Sequence, residues 1–290
     1  RLSSGSLGGK ARGLGFAKSM INYSQIKNKF SNFIIRIPKS AVIGTDEFDR
    51  FMKDNDLWDI ALSSISDEKL LNYFLKSRIS IDLILKLESF VKENKFPIAV
   101  RSSSLLEDSQ YQPLAGTYET IMLSNNSKSN KDRLNKLIEA IKIIYASTFK
   151  GEARTLLKNT AHRIEEEKMA ILIQEVVGVK YKSNRFYPTF SGVLQSINYY
   201  PVSYMKRNEG VAYLALGFGR TIADGEKCLR ISPKYPKILP QFFSIKATIQ
   251  NSQNEFYAMN FNLNHQNNHQ LNKYTLEDAE TDGALKLHNA

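Results

Sequence analysis

The chain has 290 residues, 42% of them hydrophobic, enough for a substantial core or for two lobes. Its formal charge of +11 invites a polyanion, but the cations are spread along the chain with no run of five, so a solvated basic surface is the simpler reading. A single cysteine, Cys228, excludes an internal disulfide framework and fits a reducing cytoplasm, and no apolar run approaches the ~18 residues that cross a bilayer.

The opening Arg-Leu-Ser-Ser-Gly-Ser is polar and does not read as a secretory signal. A start at Arg1 rather than Met suggests an excised domain. "GSLGGKARGLG" (5–15) sets Lys10 after paired glycines, and Leu14, Ala17 and Ile21 at helical spacing predict a helix directly behind them. Glycines let a backbone approach an anion, and a helix N-terminus adds unpaired N–H groups, so Lys10 suits phosphate oxygens. The stretch is not a Walker A loop, because only three residues separate Gly5 and Gly9 and Ala11 stands where Ser or Thr would hold magnesium. On this stretch alone, a flexible turn with a solvated lysine is the simpler reading.

"FIIRIPKSAVI" predicts a strand broken by Pro38, and "TDEFDRFMKDN" a helix capped by Thr45. Two more helical stretches, "SDEKLLNYFLKS" and "SIDLILKLESFVKEN", lead to the short strand "FPIAVRSS". Arg101 emerges where that apolar strand ends. A guanidinium there must be paired or face a cleft, since burying an unpaired charge is prohibitively costly. Its planar fork matches two phosphate oxygens, and Ser102–Ser104, Thr117 and Thr120 add hydroxyls. Gly116 beside Ala115 allows backbone to close over a ligand. An ordinary bridge from Arg101 to Glu107 or Asp108 is the alternative.

"SNNSKSNKD" (124–132) reads as a linker, followed by an amphipathic helix through Leu134, Leu137, Ile138, Ile141 and Ile144. Three strands are predicted next, in "MAILIQEVV", "FYPTFSGVLQSI" and "GVAYLALGF". The first ends in Gln174-Glu175-Val176-Val177, where exposed amides between apolar side chains could hold a purine; a core strand with a polar end is the alternative. The Ser-Gly step in "FSGVLQS" signals close backbone approach. "LALGFGRTIADGE" breaks the dinucleotide glycine pattern at Ile222, and Asp224 and Glu226 could meet a cation or simply decorate a turn. The four histidines, His162, His265, His269 and His288, have no ligand spacing, and Cys228 reads as a small semi-buried residue. The last ~30 residues, rich in Asn, Gln and His, read as a poorly packed extension. Helices alternating with short strands predict an α+β fold with more than one lobe.

Taken in order, these stretches resemble the nucleotide-binding domain shared by phosphoenolpyruvate synthase and pyruvate, phosphate dikinase. "GGKARGLG" is similar to that family's lysine motif, "VRSSSLLEDSQYQPLAGTYETIML" to its Arg-Ser-Ser block, "ILIQEVV" to its adenine hinge, and "FSGVLQS" and "LALGFGRTIADGE" to its Ser-Gly-Val strand and glycine turn. The resemblance covers roughly 5–240. It implies an ATP-grasp-like fold with a nucleotide cleft between two lobes, divided as 1–123, 124–245 and a polar extension 246–290. It implies ATP and Mg2+ as cofactors, with Lys10 and Arg101 on the phosphates, Gly116 and Thr120 lining the phosphate site, and Gln174, Glu175 and Val177 at the adenine.

The resemblance further implies phosphoryl transfer to a histidine on a separate swivelling domain, and thence to pyruvate on a pyruvate-binding domain of the same protein. A cytoplasmic enzyme and a possible homodimer are expected, with neither nucleic acid nor membrane as partner. Gly13 stands where the family commonly has Asn. The family's final strand, with its metal-binding Glu, does not occur before Ala290, so the metal ligands are expected beyond it and the fold's C-terminal part is expected to be truncated. A catalytically inactive nucleotide sensor of the same fold is the alternative, and a basic polyanion-binding protein a third.

Overall fold

A computed structural model describes residues 1–24, 26–104, 118–158, 167–202, 204–262 and 271–285. By internal contacts the chain forms two units, Arg1–Val176 and Val177–Ala290.

In the first unit, α1 (Gly8–Tyr23) and α2 (Ile26–Lys29) precede β1 (Ser40–Ile43). Four helices follow: α3 (Thr45–Asp54), α4 (Trp58–Leu62), α5 (Asp67–Lys76) and α6 (Ile81–Glu93). Next come β2 (Ile98–Ser103), β3 (Thr120–Leu123), α7 (Asn130–Ser147), α8 (Gly151–Lys158) and β4 (Ala170–Glu175). The strands form one antiparallel sheet in the order β1-β4-β2-β3. Strand side chains alternate between faces. Ala41, Ile43, Ile98, Val100, Ile121, Leu123, Ile171 and Ile173 therefore share a face, and they join one core with the apolar sides of α3 to α8. Phe48 and Phe51 of α3 bring their rings within 5.1 and 5.3 Å of buried Tyr145.

Two local expectations change. Thr45 is not the cap of α3: its hydroxyl accepts the Ser6 N–H, and Gly44 stands before the helix. The stretch 124–132 is not a loose linker. Asn125, at φ +51°, donates its side-chain amide to Asn94 O and Phe96 O, and Ser129 caps α7. Because α7 packs on α5, α6, β2 and β3, the described residues between 124 and 176 belong to the first unit, whereas the sequence divided the chain at 123.

The second unit contains β5 (Val179–Lys180), β6 (Arg185–Tyr187), β7 (Ser191–Gln195), β8 (Val211–Ala215), α9 (Arg220–Ala223) and β9 (Leu229–Ile231). It continues with α10 (Ile245–Asn251), β10 (Glu255–Asn260), β11 (Asn272–Thr275) and α11 (Leu276–Asp282). Two antiparallel sheets result, β11-β10-β6-β5 and β7-β8-β9. The predicted strand "FYPTFSGVLQSI" is two strands in different sheets, divided at Pro188, which has no N–H for a ladder.

The described part of the tail is packed rather than loose. Phe256, Ala258 and Met259 of β10 are buried, and α11 is anchored by Asp282. Antiparallel sheets with segregated helices make the fold α+β. Among the described residues no helix is long and apolar enough to cross a membrane.

Candidate functional site

Glycine brings the first helix onto the strand that carries Arg101. Gly8 has φ +71°, and a Cβ there would overlap the Ser103 carbonyl, so only glycine allows this approach. Five hydrogen bonds then fasten the start of α1 to the end of β2. Gly9 N–H donates to Ser104 O at 2.9 Å, and Ala11 N–H to Ser103 Oγ at 3.1 Å. Ser103 Oγ–H donates to Leu7 O at 2.9 Å. Lys10 Nζ donates to both Ser102 O and Ser102 Oγ at 3.2 Å. Ser102, Ser103 and Ser104 are fully buried, so these bonds satisfy groups that would otherwise be costly.

Arg101 lies on the sheet face opposite the helical core. The register sets Arg101 against Thr120 on β3 and against Leu172 on β4, with Gln174 two residues further along the same face. Arg101 Nη1 donates to Gln174 Oε1 at 3.4 Å. Thr120 is exposed, while Arg101 and Gln174 are half-buried. Three of the expected residues thus share one face, and Lys10 sits on the residue that follows Arg101.

The other expected residues stand elsewhere. Glu175 alternates to the opposite side of β4; its carboxylate accepts Arg36 Nη2 at 3.2 Å and Lys39 N–H at 3.0 Å. The Glu175 N–H donates to Lys39 O and the Val176 N–H to Pro97 O, both at 2.8 Å, so these hinge amides are engaged in the sheet. Val177 is exposed and opens the second unit. Gly116, Glu107, Asp108 and all four histidines lie outside the described residues.

In the second unit, the Ser-Gly step and the glycine turn meet. Ser191 Oγ donates to Gly217 O at 2.6 Å, and a Cβ on Gly192 would press on the Leu214 side chain. The turn's carboxylates do meet cations, but those of the chain itself. Lys273 Nζ lies 2.6 Å from Glu226 and Arg220 Nε 3.0 Å from Asp224. The Lys273 hydrogen bond holds the Glu226 carboxyl below its usual range, and reciprocally raises Lys273. Burial, then the bond to Glu226, pushes Tyr257 up. Cys228 is half-buried, and burial raises its thiol. Among the described residues no group of three or more His, Cys, Asp or Glu is placed to hold a metal ion.

Sequence reasoning named Ser102–Ser104 as donors to a ligand but missed that Ser103 pins α1. It also missed the Arg36–Glu175 pair, whose members are 139 residues apart with no local pattern joining them.

Residues 4–288 match the family described as pyruvate phosphate dikinase, AMP/ATP-binding domain. The chain is 28% identical over 200 residues to an uncharacterized phosphotransferase, YvkC, of Bacillus subtilis (strain 168). That alignment covers 68% of this chain and 21% of the relative, so the chain spans about a fifth of the length of the protein it matches.

Proposed function

The chain belongs to the pyruvate phosphate dikinase AMP/ATP-binding domain family, and from that premise we propose that its first unit handles the phosphates of ATP for an ATP-dependent phosphotransferase of dikinase type. The observation that carries the proposal is the fastening of α1 to the end of β2, which holds Lys10 on Ser102 beside Arg101. An ATP-grasp-like reading of the fold belongs to this proposal.

ATP, when bound, supplies the group to be transferred; the chain supplies alignment and charge. The Arg101 fork grips two phosphate oxygens, held meanwhile by Gln174, and Thr120 offers a hydroxyl on the same face. Lys10 adds a compact full charge that can turn from the Ser102 carbonyl to a phosphate oxygen. Phosphoryl transfer needs little covalent help, so positioning and neutralising spreading charge is sufficient work for this unit. Each charge-assisted contact contributes about 1.5–3 kcal/mol. Among the described residues no group of three or more His, Cys, Asp or Glu is placed to hold a metal ion, so no residue of the chain is assigned to Mg2+.

For the whole protein, the proposal extends to a histidine acceptor on a separate swivelling domain, then pyruvate, in a cytoplasmic enzyme that could pair as a homodimer. Arg101→Ala is expected to remove at least tenfold of ATP affinity, and with it the rise in melting temperature that ATP produces, while the unliganded protein melts as before. An unchanged ATP shift overturns the site. Where ATP shifts the wild type and not Arg101→Ala, failure of the full-length protein to move labelled phosphate onto a histidine favours a nucleotide sensor.

A further inference from the structure

At the end of β4 a side chain takes a bond that the main chain of the sheet would otherwise make. Ser40 of β1 lies opposite Gln174, and beyond that pair the Glu175 N–H donates to Lys39 O at 2.8 Å. An antiparallel pair of this kind exchanges both of its bonds, so a regular ladder would send the Lys39 N–H to the Glu175 carbonyl. It donates instead to Glu175 Oε2 at 3.0 Å. On the other edge of β4, the Val176 N–H donates to Pro97 O, which makes Ile98 and Glu175 a pair with no bond between them. The next residue back along the first edge, Pro38, has no N–H to offer. Among the described residues, the Glu175 main-chain carbonyl is therefore left without a donor.

Arg36 keeps the carboxylate in this place. Its Nη1 and Nη2 reach Glu175 Oε2 and Oε1 at 3.4 and 3.2 Å, one nitrogen to each oxygen. The Glu175 side chain is only 12% exposed, too enclosed to stand as an unpaired charge. Arg36 is half exposed, and as a plain surface tie such a pair would hold little. Here it fixes an acceptor that competes with a main-chain carbonyl for one N–H.

The open carbonyl is spaced from Arg101 as a nucleotide's base is from its phosphates. On β2, Arg101 stands three residues beyond Ile98, the partner of Glu175, which is about 10 Å along the strand. That is comparable to the separation of a purine's amino group from the phosphates of its nucleotide. A carbonyl accepts and never donates, so it favours an exocyclic amino group and repels a carbonyl oxygen. The Glu175 and Val176 amides, which the sequence offered to the base, are engaged in the sheet, and the acceptor beside them remains.

Resting on the reading that Arg101 takes the phosphates, we propose that Arg36 and the Glu175 carboxylate are positioning residues for nucleobase selection. By holding the Lys39 N–H they keep the Glu175 carbonyl open to the 6-amino group of a purine, and so set a preference for ATP over a 6-oxopurine triphosphate.

The test is calorimetric titration of the full chain with ATP, inosine triphosphate and tripolyphosphate. Inosine triphosphate carries a carbonyl in place of the amino group, and tripolyphosphate has no base at all. Wild type is expected to prefer ATP to inosine triphosphate about tenfold, as one hydrogen bond gained in place of two opposed acceptors would give. In Arg36→Ala and in Glu175→Ala the Lys39 N–H is expected to close on the main-chain carbonyl, so the preference falls toward equality. Glu175→Gln keeps a side-chain oxygen for the Lys39 N–H and is expected to retain more of the preference than Glu175→Ala. Arg101→Ala, by contrast, is expected to weaken all three ligands together. A full preference for ATP in both Arg36→Ala and Glu175→Ala overturns the proposal, as does a wild type that binds ATP and inosine triphosphate alike. In both cases, wild-type binding of tripolyphosphate leaves the Arg101 site standing. If Arg36→Ala weakens all three ligands equally, the pair is only a structural tie and the proposal falls. A wild type that binds none of the three overturns the Arg101 reading and this proposal with it.

Discussion

Asp282 shows how much one side chain can hold. Its carboxylate is fully buried and accepts Arg185 Nε at 2.7 Å, Arg185 Nη2 at 3.1 Å and the Tyr187 hydroxyl at 3.0 Å. Arg185 also reaches Asp278 at 2.9 Å, so β6 and α11 are bound through one guanidinium. Burial alone would raise the Asp282 carboxyl, but hydrogen bonds from Arg185, Ser183 and Tyr187 outweigh it and hold it below its ordinary value. A carboxylate depressed in the folded state stabilises it above the unfolded pKa of about 3.9, and that stabilisation vanishes as pH falls through the folded value. Asp282→Asn leaves Arg185 partly unpaired in a buried site, a change that costs about 3–5 kcal/mol near neutral pH. The melting-temperature gap between wild type and this variant, followed from pH 7 downward, is expected to be widest above about pH 5 and to narrow below about pH 4. A gap independent of pH would show that Asp282 does not act through its charge. None of this was visible in sequence, where the pair is 97 residues apart and the tail's Asn and Gln suggested a poorly packed extension.

At the scale of elements, local patterns were legible and long-range fastenings were not. The helix that carries Lys10 and the strand delivering Arg101 follow from apolar spacing, which reports on a residue's own neighbourhood. The resemblance of the Arg101 block added a role for it. What joins the two elements is Ser103, through bonds spanning 92 and 96 residues, and Gly8, whose positive φ no periodicity announces. Asn125 misled for the same reason: a turn-forming composition looks like a linker whether or not its side chain is anchored. The junction itself is testable. Gly8→Ala combines backbone strain with overlap on the Ser103 carbonyl, so it is expected to destabilise the first unit by roughly 2–4 kcal/mol. ATP affinity is expected to fall with it, because α1 must lift and carry Lys10 away from Ser102. Retained stability and retained ATP binding would mean that the junction does not position the lysine.

For the whole molecule, two units with separate cores raise the question of whether they unfold together. The first is built on one apolar core with an aromatic centre. The second rests on smaller sheets tied by polar links such as Arg185–Asp282. The chain's single tryptophan, Trp58, lies in the first unit, edge-on to Phe48 at 6.4 Å and Phe149 at 6.0 Å. Its fluorescence therefore reports on one unit, whereas far-ultraviolet circular dichroism reports on both. In urea, the two signals are expected not to coincide, which is the signature of more than a single two-state transition. The variants sharpen the assignment. Gly8→Ala is expected to lower the fluorescence midpoint, and Asp282→Asn to leave it fixed while part of the dichroism signal moves to lower urea. If Asp282→Asn shifts the Trp58 midpoint as far as the dichroism, the two cores unfold as one cooperative body, and a loss of stability in the second unit would then weaken ATP binding in the first.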